Sequence, residues 1–166
     1  MLKKAFASIM LVGFVCGFPF GADEFALLRE ERIGNLRIGI SETEVRKRIH
    51  CTLKRGPEEF WGADGAYHQE WEYTGCGIRL GMVSEEKGGP KSVESITVVS
   101  PSTLSTNKGI RIGSTEQEII KAYKPYWNRE DSKHFGNFVA GSIYGGLIFY
   151  VQNGQVSKIF LGAAAE

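Results

Sequence analysis

The sequence predicts an α+β protein made of two tandem units, each with a short helix packed on an antiparallel sheet. Three observations support this prediction. A ten-residue motif occurs twice, short segments of alternating apolar residues follow each copy, and glycine is abundant at 21 of 166 residues. Because glycine adopts turn conformations at little steric cost, its abundance indicates many tight turns between short elements. We expect the helices to lie on one face of a joined sheet.

The repeated motif stands at residues 36–45 and again at 110–119, 74 positions further along the chain. In each copy an apolar-Arg-Ile-Gly stretch leads to a Ser or Thr that stands three residues before a Glu. This spacing is that of a capping box, in which hydroxyl and carboxylate each bind a free amide at a helix start. We therefore expect helices over residues 42 to about 51 and 116 to about 123. Pro57 and Pro125 follow them and are expected to help to end them.

Strand-like segments follow each predicted helix. Residues 77–82 and 93–98 of the first copy match residues 146–151 and 156–161 of the second. Asn153-Gly154 between the last two segments is typical of a two-residue hairpin turn. Earlier extended segments are expected over residues 67–73 and 135–143. Each unit should therefore hold one helix and three or four antiparallel strands, with residues 100–108 as the connector.

Alternation along these strands assigns their two faces. One face carries large apolar residues that we expect under the helices: Ile78, Leu80, Met82, Ile96, Val98, Leu147, Phe149, Val151, Ile159 and Leu161. The other, called here the helix-free face, carries a more varied set: Arg79, Ser95, Thr97, Ile148, Tyr150, Lys158 and Phe160. We expect Ile148, Tyr150 and Phe160 to form an exposed patch beside Lys158, and such patches mark binding surfaces. The alternative is that a loop or the chain termini cover the patch.

Two tryptophans, Trp61 and Trp127, follow the two helices at similar places. One interpretation is that they pack between each helix end and the sheet. The other is that they rim the helix-free face, since tryptophan is a frequent anchor of protein interfaces. We count both, together with Arg79, among the candidate protein-binding residues.

Residues 1–22 are predicted to be a signal peptide. Two lysines precede an uncharged apolar run over residues 5–18, a layout typical of secretory signals, with cleavage after Ala22. The run of 14 residues is shorter than the roughly 20 that a membrane span needs, so we expect no transmembrane segment in the mature protein. Lipidation at Cys16 is a further alternative, although Val15 is not the small residue that lipoprotein signals require before the cysteine.

The mature chain would keep Cys51 and Cys76, and the simplest arrangement for such a pair in an exported protein is one disulfide. Two independent thiols are the alternative. Residues 23–100 would form the first unit and residues 101–166 the second. Removing the leader changes the net charge from +1 to −1, which is unlike the basic surplus of nucleic-acid-binding proteins. We therefore expect a protein partner and no nucleic acid.

The candidates for chemistry are His68, Glu70 and Glu72, which alternate along one predicted strand. On one sheet face they could hold a metal ion, or the carboxylates could act as a pair in a small hydrolase. A solvated polar strand face is the alternative. The sequence contains no metal-type histidine spacing, no nucleophile motif and no phosphate-binding loop. We therefore predict a non-catalytic protein that needs no cofactor or metal.

The repeated motif, the capped helix and the hairpin over residues 146–156 together resemble the β-lactamase-inhibitor-protein-like (BLIP-like) modules and the related SmpA/BamE-type envelope domains. The resemblance spans residues 33–161. It implies two tandem units whose joined sheet makes a concave protein-binding surface, and a disulfide within a unit, which Cys51 and Cys76 would supply. The second unit has no cysteine, which differs from the inhibitor family. The envelope lipoproteins differ in carrying one unit and a lipobox.

We therefore expect a periplasmic or secreted protein-binding module, an inhibitor or immunity-type protein, that acts through the helix-free face. An envelope assembly or maintenance factor is the alternative function.

Overall fold

The computed structural model describes residues 26–164. The predicted signal peptide and the alternative at Cys16 lie outside the described residues. The described part contains, in chain order, α1 (Ala26–Glu30), α2 (Glu42–Arg48), β1 (Thr52–Trp61), β2 (Ala66–Thr74), β3 (Ile78–Ser84), β4 (Ser92–Val99), α3 (Glu116–Tyr123), a 3-10 turn (Lys124–Tyr126), α4 (Arg129–Phe135), β5 (Phe138–Ser142), β6 (Gly145–Gln152) and β7 (Gln155–Gly162).

These strands form one seven-stranded antiparallel sheet in the order β1-β2-β3-β4-β7-β6-β5. β4 and β7 meet in its centre, where Ile96 pairs with Leu161 and Val98 pairs with Ile159. The fold is therefore α+β with an antiparallel sheet and a few short helices, as the sequence predicted.

The apolar core lies between the sheet and the helices α2 and α3. Val45 of α2 and Ile119 of α3 are fully buried there, and α1 adds Leu27. The core includes the residues that alternation placed on this side: Ile78, Leu80, Met82, Ile96, Val98, Leu147, Phe149, Ile159 and Leu161. Val151 is half-buried and packs on them. Burying one large apolar side chain contributes about 1.5–3 kcal/mol, so the alternation decides which face turns inward.

Both helices begin at the predicted caps. Thr115 and Glu118 form a complete capping box, in which the Glu118 amide donates to the hydroxyl at 3.3 Å and the Thr115 amide donates to the carboxylate at 2.7 Å. At α2 the Glu44 amide donates to the Ser41 hydroxyl at 3.3 Å. The Glu44 carboxylate instead binds two basic side chains of the next turn. The cap of α2 is therefore half of the predicted box.

Strand β1 was not among the predicted strands. The first helix was expected to reach about residue 51, whereas α2 ends at Arg48 and β1 begins at Thr52. Pro57 lies inside β1 and not at a helix end, at a bulge where the register with β2 shifts between Arg55 and Glu58. Proline has no N–H to donate to a neighbouring strand, so bulges and outer strands are the places that accept it.

The single extended segment predicted over residues 135–143 is divided between α4 and β5. The Asn128 side chain caps α4, and Gly136, with a φ of 64°, ends it. At the outer edge of β5, Trp127 forms a β-bridge with Ala140. The segment that enters α4 therefore covers part of this edge of the sheet.

β-Bulges interrupt β4 and β7. The register of β3 with β4 shifts next to Gly81 and leaves Glu94 without a cross-strand partner. The register of β6 with β7 shifts next to Tyr150 and leaves Ser157 without one. Each bulge places two successive side chains on the same face of its strand.

The glycine of each repeated motif contacts the strand that carries a bulge. The Gly39 amide donates to the Val93 carbonyl at 2.7 Å, and the Gly113 amide donates to the Val156 carbonyl at 2.8 Å. Gly39 has a φ of 80° and Gly113 a φ of 87°, a region that other residues enter only with strain. The two glycines therefore turn the chain from the sheet into the capped helices.

A disulfide joins Cys51, just before β1, to Cys76, in the turn between β2 and β3. The predicted pairing is thus seen in the structure, and the alternative of two independent thiols is not. Within residues 26–164, none of the helices combines the length and the apolar character that crossing a bilayer would require.

Candidate protein-binding face

The register of the strands aligns one residue of each strand in a row across the helix-free face. From β1 to β5 the row consists of Lys54, Glu72, Arg79, Thr97, Phe160, Ile148 and Val139. It is charged over the first three strands and apolar over the last three. Directly opposed side chains in a sheet are close neighbours, so this pattern divides the face into a polar end and an apolar end.

The apolar end differs from the exposed patch that the sequence predicted. Ile148 is only 1% exposed, and Val139, which pairs with it in the row, is fully buried as well. The expectation of an exposed Ile148 is therefore wrong. Tyr150 and Phe160 are half-buried. Lys158 lies with its Nζ 3.5 Å from the centre of the Tyr150 ring, which is a cation–π contact.

The polar end is organised around His68, which is 6% exposed. Its Nε2 lies 2.9 Å from Oδ2 of Asp64, and its Nδ1 lies 2.9 Å from Oε1 of Glu94. With a carboxylate at each nitrogen both nitrogens donate, and only the imidazolium form carries two N–H donors. Below its pKa the ring is therefore a buried cation held between two anions, an arrangement called here the His68 clamp.

The β4 bulge explains how Glu94 reaches this clamp. Strict alternation would turn Glu94 to the core side together with Ile96. Val93 and Ile96 are both buried in the core, so the two residues between them, Glu94 and Ser95, both turn to the helix-free face. Bulges commonly reorient a side chain in this way.

The charges of the clamp shift the pKa values of its members. Burial alone would lower the pKa of His68, but the hydrogen bonds and charges of Glu94 and Asp64 outweigh it and raise the pKa above its ordinary value of 6.5. The amide of Ala66 donates to Asp64 at 3.1 Å. This hydrogen bond, with a smaller contribution from His68, holds the pKa of Asp64 below its ordinary value of 3.8.

Trp61, at the end of β1, stacks on the clamp. Its ring centre lies 3.9 Å from that of His68, with 17° between the ring planes, yet the residue stays 37% exposed. Beside it an open trough of about 380 Å³ extends to Phe160, and the residues that line it are Trp61, Ala63, Asp64, His68, Glu94, Ser95, Phe160 and Ala163. We call this the Trp61 trough.

A second trough, of about 270 Å³, lies further along the same face and includes Arg79 and Lys158 in its lining. Nε of Arg79 lies 3.3 Å from Oε2 of Glu70, and both side chains are more than half exposed. Exposed ion pairs of this kind contribute about 0–1 kcal/mol. The Arg79 side chain can therefore exchange this partner for another at little cost.

The structure separates Trp127 from the other candidates. Its ring stacks on Phe138 with 5.0 Å between centres, it packs against the core under the helices, and its Nε1 donates to the Ser132 hydroxyl at 3.0 Å. The two tryptophans therefore lie in different environments. The helix-free face brings together Trp61 and Phe160, and the Trp127 side chain packs elsewhere.

The arrangement of His68 also differs from the predicted trio. Its partners are Asp64 and Glu94, while Glu70 turns to Arg79. Across residues 26–164, no group of three His, Cys, Asp or Glu side chains is placed so that it could hold a metal ion. Sequence reasoning missed both carboxylates of the clamp, since Asp64 lies in the turn between β1 and β2 and the bulge that turns Glu94 outward disturbs the alternation.

Comparison with family models, curated proteins and solved structures finds no match to this chain.

Proposed function

We propose that the protein is an exported, non-catalytic module that binds another protein on the helix-free face of its sheet. The observation that carries this proposal is Trp61, which stays 37% exposed while its ring stacks on the buried His68. A side chain that is already ordered loses little conformational freedom on binding. Tryptophan is also enriched among the few residues that dominate binding energy in protein interfaces.

The surroundings of Trp61 support the same function. The Trp61 trough and the trough at Arg79 offer concave surface on one face. Their charges differ, with two carboxylates around His68 in the first and the basic groups of Arg79 and Lys158 beside Glu72 in the second. Charges arranged in this way favour one partner orientation over others. The face thus combines an aromatic anchor with groups that can give specificity.

We also propose that residues 23–100 and 101–166 are tandem copies of one unit. In support, the bulges of β4 and β7 fall at positions matched by the sequence alignment, and the motif glycines make the same hydrogen bond in both halves. The side chains at the bulges differ, Glu94 in the first half and Ser157 in the second. The shared framework serves the fold, whereas the His68 clamp belongs to the first half alone, which is where a function would be added to the fold.

Export is supported by the disulfide between Cys51 and Cys76. Disulfides form and persist in oxidising compartments and are rare in the cytosol. A periplasmic or secreted location would also place the helix-free face among envelope or extracellular proteins.

The experiment that tests the proposed function is site-specific photocrosslinking in the cells that produce the protein. A photoreactive amino acid replaces Arg79 or Thr97 on the helix-free face, and matched positions on the helices, Lys47 and Lys121, serve as controls. We expect one defined protein to be crosslinked from the two face positions only. We also expect Trp61→Ala to reduce that crosslink at least about tenfold, as loss of an interface anchor does.

Crosslinks from Lys47 and Lys121 alone, or a crosslink that Trp61→Ala leaves unchanged, would overturn the proposed function. The same would follow if no protein were crosslinked from the face at any growth stage.

A further inference from the structure

We propose that the Trp61 trough binds the guanidinium group of an arginine side chain on the partner protein. This inference rests on the proposed function and names the chemistry of the contact. It follows from three properties of the trough: its hydrogen-bonding capacity, its charge and its aromatic lining.

The two carboxylates give the side chains of the trough more acceptors than free donors. Both nitrogens of His68 already donate to Asp64 and Glu94. Each carboxylate has further lone pairs, and the side chains of Asp64 and Glu94 remain 49% and 30% exposed. Apart from backbone groups, the Ser95 hydroxyl and the Trp61 indole N–H are the other donors among the lining residues. A ligand that binds to the two carboxylates must therefore bring hydrogen-bond donors.

The charge of the trough favours a cationic ligand. Two carboxylates and one imidazolium leave one net negative charge, and the lining contains no Lys or Arg. An anionic group would meet two carboxylates without a free cation to offset them, which is unfavourable in a partly desolvated site. A cationic group would meet the opposite charge and neutralise the remainder.

The aromatic lining favours arginine over lysine. Trp61 and Phe160 both contribute rings to the trough. A planar guanidinium can stack on a ring and at the same time donate in its plane to carboxylate oxygens, which a compact, strongly hydrated ammonium does less well. The volume of about 380 Å³ lies at the lower end of the range of roughly 300–1,000 Å³ of pockets that hold small-molecule ligands, so the trough has room for a guanidinium group.

The test is a titration of the ¹⁵N-labelled mature protein with short synthetic peptides, followed through the Trp61 indole and the Glu94 and Ser95 amides. The peptides share one sequence, Gly-Ser-X-Ser-Gly-amide, in which X is Arg, Lys, citrulline or Glu. Citrulline keeps the planar shape of arginine and removes its charge. We expect saturable shifts with Arg, weaker binding with Lys, and at least about tenfold weaker binding with citrulline and Glu, which corresponds to about 1.4 kcal/mol.

Variants locate the site. We expect Glu94→Gln and Trp61→Phe to weaken binding of the Arg peptide several-fold, because they keep an acceptor and a ring but remove the charge or the indole. Glu72→Gln removes a carboxylate from the helix-free face outside the Trp61 trough and is expected to leave binding unchanged. The spectra of the free variants show directly whether each one is folded.

Equal binding of the Arg and citrulline peptides, preference for the Glu peptide, or the absence of shifts at Trp61 would overturn the inference. Its failure is distinguishable from that of the proposed function. If the face crosslinks a partner regardless of Glu94→Gln and of changes to the arginines of that partner, the inference fails and the proposed function stands. If the Arg peptide binds but only the helix positions crosslink, the inference that the trough binds arginine stands and the proposed function fails.

Discussion

Nδ1 of His68 lies 2.9 Å from the carboxylate of Glu94, the residue that the β4 bulge leaves without a cross-strand partner. The bulge is an irregularity of the backbone, yet it provides the acceptor that a buried histidine needs. Three elements meet at this contact: strand β2 with His68, strand β4 with Glu94, and the β1–β2 turn with Asp64. The clamp therefore couples the tip of a hairpin to the middle of the sheet.

The first prediction concerns the pH dependence of stability. The folded-state pKa of His68 is raised above 6.5, so the stabilisation from its charge is fully present below that value and is lost as the pH rises through the folded-state pKa. The pKa of Asp64 is lowered below 3.8, so its contribution is present above that value and is lost as the pH falls. Urea unfolding across this range should show His68→Gln to be less stable at pH 6 by about 1–2 kcal/mol, with a smaller loss at alkaline pH.

The control for this prediction is His50→Gln, since His50 is exposed and lies outside the clamp. It should follow the wild-type protein at every pH. If the free energy of unfolding of His68→Gln fell with rising alkaline pH as steeply as that of the wild-type protein, the clamp would not be the cause of this fall.

The second prediction concerns a buried hydrogen bond that joins the N-terminal part of the described chain to α3. The hydroxyl of Tyr123, a fully buried residue, donates to Glu31 at 2.8 Å, and Glu31 is 3% exposed. Tyr123→Phe should lower the free energy of unfolding by about 1–3 kcal/mol, because it leaves a buried carboxylate oxygen without a donor. Tyr126→Phe, at an exposed tyrosine nearby, should change it little. Equal effects of the two variants in urea unfolding would contradict the prediction.

The third prediction compares the two helix caps. Thr115→Ala removes two hydrogen bonds of the hydroxyl, one from the Glu118 amide and one to the Glu118 carboxylate, and should cost about 1–2 kcal/mol. Ser41→Ala removes one, from the Glu44 amide, and should cost about 0.5–1 kcal/mol. Thermal or urea unfolding of the two variants measures the difference. If Ser41→Ala proved the more damaging, the hydrogen bond from the Thr115 hydroxyl to the Glu118 carboxylate would contribute nothing to stability.

The fourth prediction concerns the disulfide. Replacing both Cys51 and Cys76 with Ala opens a loop with a sequence separation of 25 residues, which should destabilise the fold by about 3 kcal/mol in the chain-entropy model. Reductant should shift the urea midpoint of the wild type toward that of the double variant and leave the double variant unchanged. Identical midpoints for wild type and variant would rule out a stabilising role.

Much of the fold could be predicted because local patterns and tertiary packing agree. The alternation at Leu80 and Ile96 is the same pattern that burial in the core requires, and the spacing of Thr115 and Glu118 specifies a cap wherever the helix packs. Strand β1 could not be predicted in this way. Pro57 and its bulge break the alternation, and most of the strand is exposed, so no apolar period marks it. Helix α4 is polar along most of its length and likewise lacks an apolar pattern.

The candidate site could be predicted only in part. The alternation of His68, Glu70 and Glu72 correctly placed the three on one face of the sheet, but the true partners of His68 depend on a turn and a bulge. The similar positions of Trp61 and Trp127 in the sequence suggested one common role, whereas Trp61 continues β1 and Trp127 bridges to β5. The two tryptophans join different strands, so similar positions in the sequence place their side chains in different surroundings.

The bulge and Pro57 in β1 have a consequence for how copies of the protein meet. β1 is the outer strand of the sheet, and a long, regular outer strand invites another chain to add to it, which is a route to fibrils. Pro57 offers no N–H, the bulge breaks the hydrogen-bonding rhythm, and the charged residues Lys54, Arg55, Glu58 and Glu59 line the strand. Addition of another chain to β1 is therefore disfavoured. The helix-free face can stay exposed without the protein polymerising through this outer strand.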